Sequence, residues 1–164
     1  GNPRCRRIGY SGSYILIEGV GNVLGEIRLT AESIQYIALF ENMTRAKILD
    51  CIPEEERLVY VVKQGDMGLA IGKNGENINR VKKALDKPIE LVEYSEDPVT
   101  FIKNAFGPVS VSSTNITTKN GKRLAYVEVP NKEKGLAIGR NGKNIEKVKM
   151  LARRHHNIED VILQ

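Results

Sequence analysis

Two tetrads, Gly72-Lys73-Asn74-Gly75 and Gly139-Arg140-Asn141-Gly142, place a cation and an amide between paired glycines. Glycine lacks a side chain and adopts positive φ without steric cost, so such a loop can bring backbone N–H groups against an anion. Each tetrad also opens a stretch of helical periodicity, and the unpaired N–H groups and dipole at a helix start favour negative charge. The chemistry on offer is noncovalent capture of a phosphate backbone. The four glycines supply close approach, Lys73 and Arg140 supply charge, and Asn74 and Asn141 supply hydrogen bonds. Arg80 and Lys143, on the helices that follow, are the cations nearest the loops.

A single Gly-x-x-Gly has a bland explanation, since any helix-loop-helix turn can use two glycines for steric reasons. Here the tetrad recurs. Gly68-Leu69-Ala70-Ile71-Gly72-Lys73-Asn74-Gly75 and Gly135-Leu136-Ala137-Ile138-Gly139-Arg140-Asn141-Gly142 differ only at Lys73 and Arg140. Carried on to Leu85 and Ala152, the stretches share eleven of eighteen positions at a constant offset of 67 residues. Two copies, each with enough surrounding chain for a small domain, indicate a duplicated unit rather than a solenoid, which needs three or more repeats.

The elements that must position the loops repeat with them. Thr30-Ala31-Glu32-Ser33 offers a helix cap before Ile34, Ile37, Ala38 and Phe40, spaced to share one helical face. Ala46 to Ile52 and Arg57 to Val62 read as strands around the turn Pro53-Glu54-Glu55-Glu56. A short helix through Leu69, Ala70 and Ile71 leads into the loop, a longer one carries Ile78, Val81 and Leu85, and a strand at Ile89 to Glu93 follows Pro88. The second unit repeats the order: a helix over Val99 to Phe106, strands at Val109 to Thr117 and Leu124 to Val129 about an Asn120-Gly121 hairpin, the loop, a helix with Ile145, Val148 and Leu151, and a strand at Ile158 to Leu163. The expected fold class is α+β. It comprises two tandem α-β-β-α-α-β domains, each a three-stranded sheet packed on helices, over residues 27–94 and 95–164. Residues 1–26 form an extension carrying a possible strand at Tyr14 to Val20. Gly68 and Gly135 read as allowing a tight helix entry.

Composition limits the alternatives. The 164 residues carry net charge +5, are 41% hydrophobic and 27% charged, and so have enough apolar content for folded cores and an excess of cations suited to anionic partners. No run approaches the roughly 18 apolar residues of a membrane span, and the expected place is the cytoplasm, with no membrane partner. Cys5 and Cys51 have neither disulfide-framework nor zinc spacing, and the adjacent His155 and His156 diverge on a helix, so no metal and no cofactor are expected. No nucleophile–base pair appears, and Gly-x-x-x-x-Gly-Lys-Ser/Thr is absent, so no enzyme is expected. Aromatics at 5%, with no tryptophan, leave little for a base-stacking platform. Ile71 and Ile138 could instead line a groove beside each loop, as could Ile78 and Ile145, although helical spacing more often marks core.

Ile71-Gly72-Lys73-Asn74-Gly75 and Ile138-Gly139-Arg140-Asn141-Gly142 resemble the signature of KH domains, whose loop clamps four backbone nucleotides. The element order resembles their type II arrangement. Ile27-Arg28-Leu29-Thr30, Gly65-Asp66-Met67-Gly68, Ser95-Glu96-Asp97-Pro98 and Arg153-Arg154-His155 are similar to the archaeal NusA-like transcription factors, from about Ile27 to Gln164. The length leaves no room for the additional domains of bacterial NusA, so the compact archaeal form fits better. The resemblance implies binding of single-stranded RNA, the nascent transcript, in transcription elongation or termination, with RNA polymerase as a further partner. The alternative is a protein-interaction scaffold on polymerase or a ribonucleoprotein, with RNA binding secondary.

Overall fold

The computed structural model describes the backbone of residues 8–11, 14–17 and 27–164, and side chains from Leu29 onward. The described chain divides into two compact units, one gathering the first two strands with Ile27–Ser95, the other holding Glu96–Gln164. The first contains β1 (Ile8–Ser11), β2 (Tyr14–Ile17), β3 (Ile27–Thr30), α1 (Ala31–Thr44), β4 (Ile48–Pro53), β5 (Leu58–Val62), α2 (Met67–Ile71), α3 (Glu76–Leu85) and β6 (Ile89–Glu93). The second contains α4 (Pro98–Phe106), β7 (Ser113–Lys119), β8 (Lys122–Glu128), α5 (Lys134–Ile138), α6 (Lys143–His156) and β9 (Asp160–Leu163). Both contain the expected α-β-β-α-α-β order.

In the first unit the Thr30 hydroxyl caps α1 by accepting from the Ser33 N–H at 3.0 Å. The helix buries Ser33, Phe40 and Thr44, with Tyr36, Ile37, Leu39 and Met43 packed partly against the core, while Ala38 is exposed. The buried stripe is thus rotated from the apolar face through Ile34 and Ala38. Hydrogen bonding explains the two polar members: Thr30 donates to the Ser33 hydroxyl, and Thr44 donates back to the Phe40 carbonyl.

The segment Leu58-Val59-Tyr60-Val61-Val62 is buried throughout and forms the centre of the sheet β4-β5-β6. Its β-branched run suits a strand covered on both faces. β4 lies antiparallel to β5 and β6 parallel to it. A parallel neighbour cannot be reached by a tight turn and needs a crossover; here that crossover is α2, the glycine loop and α3. Tyr60 packs on Phe40 with ring centroids 4.5 Å apart and donates its phenol to the Tyr36 carbonyl at 2.9 Å. Burial holds that phenol well above its ordinary pKa. Cys51 is a buried thiol on β4.

The second unit is built alike. Asp97 caps α4, accepting from the Thr100 N–H at 3.3 Å and its hydroxyl at 2.6 Å, and Pro98 occupies the first helical turn. The bond from Thr100 holds the Asp97 carboxyl below its ordinary pKa. β7 and β8 pair antiparallel around Asn120 and Gly121, at φ 54° and 77°, as a two-residue hairpin requires. β9 adds parallel to β8. Phe101, Ile102, Phe106, Val148, Leu151 and Ile158 are among the fully buried side chains. His155 is buried edge-on to Phe101, with centroids 5.4 Å apart.

Further expectations change. The strand expected from Val109 begins at Ser113, because Val109 is buried packing that precedes strand pairing. The strand expected from Ile158 begins at Asp160, since the Ile158 N–H still bonds back to Ala152 in α6. An additional antiparallel sheet, β1-β2-β3, registers Ile8 opposite Ile17 and Tyr14 opposite Thr30. β2 covers only part of the strand expected at Tyr14 to Val20; its remainder and Cys5 lie outside the described residues. Among the described residues no helix is long and apolar enough to cross a membrane, and no group of His, Cys, Asp and Glu is placed to hold a metal.

Candidate nucleic-acid interface

Each loop is a four-residue turn between a short helix and a longer one. α2 closes when the Gly72 N–H bonds to the Gly68 carbonyl at 2.8 Å, and the Gly75 N–H then returns to the Gly72 carbonyl at 3.1 Å. The equivalent bonds in the second unit, Gly139 to Gly135 and Gly142 to Gly139, measure 2.9 and 3.1 Å. Gly72 has φ 76° and ψ 173°, Asn74 has 57° and 27°, and Gly75 has 74° and 14°. Gly139, Asn141 and Gly142 have 77° and 173°, 57° and 27°, and 74° and 11°. The two copies of the loop therefore hold one backbone conformation to within a few degrees.

The paired glycines have separate reasons to be glycine. A Cβ on Gly72 would lie 2.7 Å from Asn77 Cγ and 2.9 Å from its backbone nitrogen; on Gly139 it would lie 2.7 Å from Asn144 Cβ and 2.9 Å from that nitrogen. The first glycine is thus required by packing as well as by positive φ. Around Gly142 a Cβ would meet nothing within 4 Å, and around Gly75 the nearest atom is 3.4 Å away, so the second glycine is required by φ alone. Asn74 and Asn141 sit in the left-handed region, where asparagine is among the few residues that fit readily, so conformation accounts for their identity. Gly68 and Gly135 have no positive φ and open space around them; a tight helix entry is not what they provide.

The side chains sort by place. Lys73, Asn74, Arg140 and Asn141 are exposed, and the four loop glycines are half-buried. Gly75 and Gly142 stand at the N-caps of α3 and α6 with no side chain bonded there, so no capping group competes for the first-turn N–H groups. Arg80 donates to the Met43 carbonyl at 2.8 Å and to Asn77 Oδ1 at 3.1 Å, which ties α3 to the end of α1. Lys143 is half-buried in the first turn of α6. On each pre-loop helix one alanine points inward, Ala70 or Ala137, while its flanking aliphatics face solvent: Leu69 at 49%, Ile71 at 38%, Leu136 at 53% and Ile138 at 43% exposure. Ile78 packs against the core instead.

This backbone and its setting match known families. Residues 34–118 match the KH domain, and residues 98–163 match the NusA-like second KH domain. The chain is 42% identical over 137 residues to the "Probable transcription termination protein NusA" of Halobacterium salinarum, covering 84% of this chain and 98% of that protein. The chain belongs to the NusA family of KH-domain proteins. The NusA relative of Methanocaldococcus jannaschii is 33% identical over 84% of this chain and 75% of its own length. The crystal structure of APE1850 superposes with TM-score 0.71 at 35% identity, over 83% of this chain and all of that one.

Within this NusA-family chain, sequence reasoning missed Asn77 and Asn144. Asn77 Nδ2 donates to the Leu69 carbonyl at 2.8 Å, and Asn144 Nδ2 donates to the carbonyls of Ala137 at 3.0 Å and Phe106 at 3.4 Å. Each amide fastens the helix after the loop to the helix before it. The available signal was their identity in both copies, five residues after the first glycine.

Proposed function

We propose that this protein binds single-stranded RNA, the nascent transcript, as a factor in transcription elongation or termination, without catalysing a reaction. The contact residues are Gly72, Lys73, Asn74 and Gly75 in one domain and Gly139, Arg140, Asn141 and Gly142 in the other, with Arg80 and Lys143 beside them. The observation that carries this reading is the pair of loops with one backbone conformation, each opening an uncapped helix beside exposed aliphatic side chains. The amides and cations suit phosphates, and the aliphatic strip suits unstacked bases. The relatives' names support the setting in transcription; RNA polymerase as a partner and the cytoplasm as the place are parts of the proposal. The domains are assigned to residues 27–94 and 95–164, with 1–26 as an extension. Two modest grips on one chain reinforce each other through effective concentration.

The test is affinity for short single-stranded RNA across a salt series, with Lys73-Asn74 or Arg140-Asn141 replaced by Asp-Asp. Aspartate tolerates the left-handed region, so the fold should persist. Each lost phosphate contact lowers the salt slope by roughly 0.7. Unchanged binding in both variants would assign the loops a structural role and favour the scaffold alternative.

A further inference from the structure

The two loops share their backbone and differ in charge, which makes them a controlled comparison inside one molecule. From Asp66 to Glu76 the first loop region contains one cation, Lys73, against two carboxylates, Asp66 and Glu76. From Glu133 to Lys143 the second contains three cations, Lys134, Arg140 and Lys143, against one carboxylate, Glu133. Asp66 and Glu133 are used alike, each accepting a backbone N–H from the chain preceding the hairpin or strand: Asp66 from Lys47 at 2.9 Å, Glu133 from Ser110 at 3.3 Å. The contrast therefore lies in Met67 against Lys134 and Glu76 against Lys143. Glu76 is exposed in the first turn of α3, where the dipole is positive, and its carboxylate acts against an incoming phosphate at that end. Lys143 stands in the same place on α6 and adds to the attraction.

Resting on the RNA-binding reading above, we propose that the two domains hold RNA by different forces. The second domain grips the phosphate backbone and carries most of the salt dependence. The first holds its segment of strand mainly through loop amides and the exposed Leu69 and Ile71, with a smaller ionic contribution from Lys73 and Arg80. The strand is consequently anchored by the second loop and followed by the first, so that raised salt loosens the second before the first.

The experiment uses the full chain, a short single-stranded RNA of mixed sequence, and the variants Glu76→Lys and Lys143→Glu. Glu76→Lys should raise the salt slope by roughly 0.7 and tighten binding about fivefold near 0.1 M salt, and Lys143→Glu should do the reverse. Thermal stability should move oppositely, falling in Glu76→Lys and rising in Lys143→Glu, because each charge meets the α3 or α6 dipole. Binding and stability moving apart excludes misfolding as the cause. A wild type that binds while either variant keeps the wild-type slope overturns the inequality alone; a wild type that binds at no salt concentration overturns the RNA reading and this one with it.

Discussion

Replacing Gly72 with alanine should damage the fold far more than replacing Gly75, although both glycines belong to one motif and both have positive φ. At φ 76° and ψ 173° Gly72 lies in a region open essentially to glycine, where another residue costs about 1–3 kcal/mol. Its new Cβ would also stand 2.7 Å from Asn77 Cγ and 2.9 Å from the Asn77 backbone nitrogen. The side chain could turn away, but the nitrogen belongs to the first turn of α3 and must move with it; overpacking of this kind costs about 1–3 kcal/mol. Together they come to about 2–6 kcal/mol, centred near 4. Gly75 at φ 74° and ψ 14° lies in the left-handed helical region, where alanine costs about 1–2 kcal/mol, and part of that is offset because alanine restricts the unfolded chain. The two substitutions should differ by about 2–3 kcal/mol. Urea unfolding followed by far-ultraviolet circular dichroism reads this directly: with a slope of about 2 kcal/mol per molar, the midpoints should separate by about 1 M. Gly139→Ala and Gly142→Ala should fall in the same order. Equal losses at Gly72 and Gly75 would refute the steric argument and leave only the shared preference for positive φ.

Asn77→Ala and Asn144→Ala should each lose about 1 kcal/mol through the amide–carbonyl bond and loosen the loop behind it. Faster hydrogen exchange at the Gly72 and Gly139 amides would show it, whereas unchanged protection would mean that the clamp is idle. Asp97 has a depressed pKa in the folded state, so its contribution is complete above the ordinary carboxylate value and vanishes as pH falls through the lowered one. Asp97→Asn keeps a capping oxygen and removes the titration, so stability below about pH 4 should decline less steeply than in the wild type.

The loops and the element order were legible because duplication separates signal from accident: a tetrad recurring at one offset, with the same periodicities around it, specifies a domain twice. Helix faces were less legible. Ser33 and Thr44 are buried by hydrogen bonds to Thr30 and Phe40, which hydropathy cannot register, and so the inward face of α1 was placed too near Ala38. At the pre-loop helices the pattern left groove and core open for Ile71 and Ile138; the structure exposes both, together with Leu69 and Leu136, and turns Ala70 and Ala137 inward. Asn77 and Asn144 were visible as repeated letters, yet no local rule links an asparagine to a glycine five residues earlier. The partners of β3 depend on which strands meet, and that information is not local at all.

The parallel pairing of β5 with β6 has a kinetic consequence. The β4–β5 hairpin can close from neighbouring residues, but β6 cannot dock until the whole excursion between them has compacted. The glycine turn lies within that excursion, so its conformation should be acquired at the final closure of the sheet. Conversely, a disturbance that peels away Ile89–Glu93 should release the turn even though none of its own bonds has been touched.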